Sequence, residues 1–190
     1  MKTEQSQTVR IIPKQVSELT EISINTIPQV PALALAFVIG YVVNAISSWS
    51  ECILFWTWCG KPSDRMLTGN SIRKVKFYQQ AMVKEMLTKE SENDKPSNDE
   101  LFSIAMRHAI SSTKVTDFNG LYAFSRSILI SIIFASIILN IHFWINWSVM
   151  IISILLVVVL WIRSKQNGYY YVREVLNTYL SVKTSVNSGK

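Results

Sequence analysis

Apolar residues gather in three long runs, and polar stretches with helical spacing lie between and beyond them. The first run opens at Pro31. "PALALAFVIGYVVNAI" would extend about 24 Å as a helix, short of a ~30 Å hydrocarbon core, and spans it only by continuing to Trp56 or Trp58. Ser127–Trp144 and Trp147–Ile162 carry the clearest membrane signal. The turn between them, around Asn140–Asn146, is short enough to require a helical hairpin. The pattern predicts an all-α fold, a helical transmembrane protein with about three spans, a cytoplasmic helical middle region and a C-terminal helix.

The polar stretches divide the chain further. Residues 1–30 form an N-terminal segment in which Val16, Leu19, Ile22 and Ile27 mark a short amphipathic helix over Lys14–Ile27. Residues 31–60 are the first membrane segment and 61–120 the aqueous middle region. There Ile72, Val75, Tyr78, Met82 and Met86 predict one helix from about Ser71 to Thr88. The apolar-free "KESENDKPSND" reads as a solvated linker. Ser97, with Glu100 three residues on, forms a capping box that opens a second helix. Residues 121–163 are the hairpin. After Ile162 the chain turns polar at "RSKQNG", and helical spacing resumes in a C-terminal segment, 164–190, with Val172, Leu176, Tyr179 and Leu180 on one side.

Composition agrees with a membrane protein that has a large aqueous part. Hydrophobic residues make up 49% and charged residues 17%, against roughly 25% charged in soluble domains; mean hydropathy is +0.22. The formal charge of +6 suits nucleic acid or an anionic membrane surface. In a membrane protein its placement sets orientation. Residues 61–121 hold ten Lys and Arg and the tail from Arg163 five, while the hairpin turn has none. The turn is then outside, with the middle region and the C-terminus cytoplasmic. A single crossing by Pro31–Trp58 leaves the N-terminus outside, whereas a re-entrant "CILFWTWCG" would put it inside. The first 30 residues, polar and carrying Glu4, Glu18 and Glu21, resemble neither a signal peptide nor a transit peptide. Cys52 and Cys59 read as small residues near the membrane boundary rather than as a bridge or a metal pair.

One feature of the first run is out of character. Gly40, Asn44, Ser47, Ser48 and Glu51 fall within roughly a 100° arc of a helix. Around a symmetry axis these residues would line a pore, with Glu51 as a carboxylate ring favouring cations. They equally suit a packing face, because Ala32, Ala36, Gly40, Asn44 and Ser48 form an extended small-xxx-small pattern. Glu51 would then be hydrated or paired with Lys61 or Arg126. The stripe Ser127, Ser131 and Ala135 in the second span reads as packing. Arg126 sits at that span's inner end, within reach of headgroups.

Arg73, Lys74 and Lys76, beside Phe77 and Tyr78, form a candidate ligand site for a nucleotide or oligonucleotide signal. The same charges suit anionic membrane lipid. No GxSxG, P-loop, HExxH or Gly-rich dinucleotide turn occurs, and His108 and His142 stand far apart, so neither an enzyme nor a cofactor is expected.

From Phe118 onward, "FNGLYAFSRSILISII" and "YYYVREVLNTYL" resemble the small multi-span proteins encoded beside bacterial anti-phage genes, such as the Hailong effector and the Kiwa membrane subunit. The resemblance implies an oligomeric channel or membrane sensor of the bacterial inner membrane, silent until infection and working with a soluble partner. Self-association as a tetramer, contact with membrane lipid and a cytoplasmic protein or nucleotide signal are the partners to expect. On this reading the chain is a gated ion channel that depolarises the membrane; the alternative is a non-conducting anchor or sensor that docks a soluble effector.

Overall fold

The computed structural model describes residues 29–70, 72, 75–142 and 146–188. Among these the chain is all-α, and the helix expected over Lys14–Ile27 lies outside them. Seven helices follow in order: α1 Gln29–Trp49, α2 Glu51–Thr57, α3 Pro62–Leu67, α4 Gln80–Glu90, α5 Asn98–Ala109, α6 Thr113–His142 and α7 Trp147–Ser188. Three of them, α1, α6 and α7, are long and apolar enough to cross a membrane. The protein is a helical membrane protein.

The chain divides into two compact units at Val42 and Val43. In the first, residues 29–42 of α1 form an uninterrupted helix whose side chains are all exposed, as an apolar helix meant for lipid should be. Pro31 sits in its first turn, where a missing N–H costs nothing.

The second unit starts with the last turns of α1. The helix expected to run unbroken to Trp58 stops at Trp49, and α2 resumes at Glu51. Serines explain the break. Ser47 and Ser48 donate their hydroxyls to the Asn44 carbonyl, at 2.8 and 3.1 Å, and Ser50 donates to the Ile46 carbonyl at 2.9 Å. Such back-bonding competes with the helical ladder and bends it. Helix α2 closes with the Gly60 N–H on the Phe55 carbonyl and the Cys59 N–H on that of Trp56, a Schellman arrangement. It puts Cys59 at φ 62° and Gly60 at φ 123°. The turn redirects the chain into α3, which packs on α4, α5 and α7.

Helices α3, α4 and α5 wrap the C-terminal half of α7 to form a helical head. Its core holds Leu67, Val83, Leu87, Leu101, Ala105 and, from α7, Tyr169, Val172, Val175, Leu176 and Tyr179. Helix α5 begins as its capping residues require, with the Ser97 hydroxyl accepting the Glu100 N–H at 3.2 Å. Helix α4 starts nine residues later than the hydrophobic spacing suggested. Residues 75–79 are not helical: Val75 is fully buried as an anchor of the loop, and the β-branched and aromatic "VKFY" holds weak helical preference. The buried face of α4 is Val83 and Leu87, while Tyr78 and Met82 are exposed.

Helices α6 and α7 form the expected hairpin. At 30 residues α6 is about 45 Å long, longer than a hydrocarbon core, so its first turns belong to the head. Helix α7 is longer still, at 42 residues, and it runs straight through "RSKQNG", where sequence spacing suggested an interruption. That hexapeptide has no proline. Its glycine serves packing: a Cβ at Gly168 would lie 3.2 Å from Tyr122 and 3.5 Å from Pro62 and Trp58. The third span and the C-terminal helix are therefore one rod.

Gly168→Leu should force this three-way contact apart at a cost of about 1–3 kcal/mol, the usual range for overpacking. Thermal unfolding of the purified protein in detergent is expected to show a Tm several degrees lower. An unchanged Tm would show that the contact has slack.

Candidate functional site

The polar stripe and the start of the second span meet at the junction between membrane helices and head. Arg126 of α6 is at the centre, its side chain 8% exposed. It forms an ion pair with Glu51 of α2. Its Nε donates to Ser47 Oγ at 3.3 Å, and its Nη2 donates to Ser48 Oγ at 3.0 Å. The guanidinium also lies over the Tyr122 ring, 5.2 Å from its centroid, where the ring's negative face favours a cation. One residue on, Ser127 donates to Asn44 Oδ1 at 3.1 Å and lies 3.2 Å from Ser47 Oγ. The Tyr122 hydroxyl reaches Glu51 Oε1 at 3.4 Å.

Local structure explains how these groups converge. Past the break at Ser50, Glu51 occupies the first turn of α2, where the helix dipole favours a carboxylate. Tyr122 and Arg126 are one turn apart on α6 and share the face that meets Ser47. Leu54 and Trp58 of α2 pack with Tyr122 and Leu129 beneath them. Beside the ion pair is a cavity of about 420 Å³ whose lining includes Glu51, Phe55, Phe102, Tyr122 and Tyr171.

Of the five residues read as pore-lining, the structure brings Asn44, Ser47, Ser48 and Glu51 together against α6. Ser47 is buried, Glu51 partly so, and Asn44 and Ser48 remain exposed on one side. Gly40 belongs to the first unit, where it is exposed. Lys61 is not the partner of Glu51; it pairs with Asp99 at 2.6 Å. Tyr122 went unnoticed in the sequence, although its spacing of four from Arg126 was a usable signal. In the basic cluster, Arg73 and Lys74 lie outside the described residues, and Lys76 is exposed in the loop before α4. Phe77 packs on the head core, so it is not offered for stacking. Ser131 and Ala135 are exposed, and Cys52 and Cys59 are free thiols at the surface. Among the described residues no group of His, Cys, Asp and Glu is placed to hold a metal.

A second polar cluster ties the far end of the head. Glu90, the last residue of α4, takes His108 Nε2 at 2.6 Å, the Tyr179 hydroxyl at 2.9 Å and Lys183 Nζ at 3.0 Å. A carboxylate can only accept, so all three donate to it. Burial works against its charge, yet the hydrogen bonds from Lys183, His108 and Tyr179 outweigh it and lower its pKa from 4.5 to about 2. Three helices are clasped through this one group.

Two outcomes follow. Glu51→Ala leaves the Arg126 cation buried without its counter-ion, at a cost of about 3 kcal/mol. Replacing both residues by Leu should recover most of that loss, and thermal unfolding of the single and double variants measures the coupling. A double variant no better than the single ones would remove the pair as an organising contact. At Glu90 the depressed pKa means that its contribution is full above pH 4.5 and is lost as pH falls toward 2. Glu90→Gln should thus cost about 2 kcal/mol at neutral pH, a gap from the wild type that closes across that acid window. A gap that stays constant with pH would exclude the clasp as its origin.

Comparison with family models, with curated proteins and with solved structures finds no match to this chain.

Proposed function

We propose that the chain is a membrane-anchored subunit that holds its helical head at the cytoplasmic face as a docking platform for a soluble effector or signal, and that it conducts no ions in its resting form. The observation that carries this reading is Arg126. Its guanidinium occupies the polar stripe from within the same chain, bonded to Ser47 and Ser48 and paired with Glu51. A carboxylate neutralised by a neighbouring guanidinium offers no cation-selective ring. The single rod of α7, shared between span and head, supports a sensor role, because a load on the head is borne by the same helix that crosses the membrane. The density of Lys and Arg in the middle region supports the cytoplasmic placement. The resemblance to small multi-span proteins of anti-phage systems supplies the setting: the bacterial inner membrane and a response to infection.

A second reading, the gated channel, draws on a different observation. Asn44 and Ser48 keep an exposed side, and polar groups on a membrane helix gain from a second copy of the chain. In that form a tetramer would open only after Glu51 had left Arg126.

Ion flux from liposomes carrying the full chain separates the two. The anchor reading expects no flux from the wild type and none from Arg126→Gln. Cation-selective flux in Arg126→Gln that disappears when Glu51→Gln is added would overturn it in favour of the channel.

A further inference from the structure

We infer that the junction of the α2–α3 turn with α7 is a binding site for the phosphate of an anionic phospholipid, with Arg65 and Lys165 as its two cationic ligands. The apolar run of α7 ends at Ile162, which puts Lys165 less than one turn past the hydrocarbon boundary, at headgroup depth. Arg65 arrives there from α3. Its Nη1 donates to the Trp58 carbonyl at 3.0 Å and its Nε to the Asn70 carbonyl at 3.1 Å. Lys165 Nζ lies 3.4 Å from the same Trp58 carbonyl. Two positive charges thus converge on one carbonyl oxygen at the C-terminal end of α2, whose partial negative charge offsets their mutual repulsion only in part.

No carboxylate resolves the repulsion. Four cations of the head and junction do have acidic partners: Lys61 with Asp99, Lys89 with Glu85, Arg126 with Glu51 and Lys183 with Glu90. Among the described residues, Arg65 and Lys165 form no such pair. Both side chains are partly exposed, and each keeps N–H donors beyond those bonds. The backbone fixes the geometry of the site. The left-handed Cys59–Gly60 turn holds the Trp58 carbonyl at the end of α2, and the Arg65 stem lies against Gly60, 3.7 Å from where a Cβ would stand.

Two further observations point to a ligand rather than to a bare charge pair. The Tyr169 hydroxyl, one turn beyond Lys165 and near enough to Arg65 to feel its charge, is buried with no hydrogen-bond partner. The surroundings are those of a membrane interface. Lys165 Nζ sits 5.3 Å from the centre of the Trp161 ring, whose Nε1 donates to Thr57 at 2.9 Å, and Trp56 on α2 is 80% exposed. Indole rings favour that depth, and basic pockets between membrane helices are where anionic headgroups settle. A phosphodiester here would accept from both cations and leave its acyl chains along the apolar flank of α7.

Native mass spectrometry of the full chain, released from detergent with added lipid, tests the site. Phosphatidylglycerol should form adducts that phosphatidylcholine does not. Lys165→Gln should weaken them about fivefold, the effect expected of one basic group at a membrane surface. Lys84→Gln, which removes the same charge from α4, should leave them unchanged. Arg65→Gln with Lys165→Gln should abolish them; the single Lys165 variant keeps the test valid if the double variant does not fold. Equal binding of the two lipids, retention of adducts in Lys165→Gln, or an equal loss in Lys84→Gln would overturn the site. Displacement of phosphatidylglycerol by millimolar inorganic phosphate would reassign it to a free anion.

Discussion

A cation that has left water must be given its counter-charge and its hydrogen bonds, and Arg126 is that cation. Its needs are met by groups from two separate segments, Ser47 and Ser48 at the end of α1 and Glu51 at the start of α2. All three share one arc of a helix, and the chain breaks that helix at Ser50, where serine hydroxyls bond back to the Asn44 and Ile46 carbonyls. Once it has done so, α2 is led along the side of the hairpin, Leu54 and Trp58 reach their core positions, and the Schellman turn after Thr57 delivers α3 to the head. A neutral side chain at this position would leave Glu51 without its counter-charge while leaving the apolar runs intact.

Much of the fold was legible because the membrane imposes a simple rule on sequence. Long apolar runs separated by a short turn admit only a helical hairpin, and α6 and α7 follow it. The face of α7 that packs into the head was equally readable, since Val172, Leu176, Tyr179 and Leu180 keep a regular spacing. Some boundaries were not. The run from Pro31 to Trp58 is apolar throughout its length, and nothing in hydropathy registers that serine hydroxyls compete with backbone N–H groups for the carbonyls of Asn44 and Ile46. The passage through "RSKQNG" misleads for the opposite reason. Polar residues and a glycine resemble a loop, but the glycine is there to let Trp58, Tyr122 and Pro62 close on α7, a contact between segments far apart in sequence.

The candidate site was legible in part. The arc formed by Asn44, Ser47, Ser48 and Glu51 marked a polar face, and Arg126 stood among the residues that could meet Glu51. What spacing could not supply was the choice between a partner in the same chain and a partner copy, because a helical wheel gives directions and not distances. The cluster at Glu90 was invisible for a related reason. His108 looked like any helix histidine, and its role depends on α4 ending where α7 passes. Likewise, Arg65 and Lys165 are one hundred residues apart, and only the turn at Cys59 and Gly60 makes them neighbours.

The continuity of α7 has a consequence for how this protein can vary. A helix turns through about 100° with each residue, and no loop lies between the membrane half of α7 and the half buried in the head. Residues 163–167 therefore act as a shaft with a fixed angular phase. Gaining or losing one residue there would swing the core residues of the head more than a quarter turn out of place, while Ser153 and Asn140 held the other half in place across the hairpin. Length in this short stretch is constrained far more tightly than composition, whereas the linker of residues 91–96 can change its length without turning any helix.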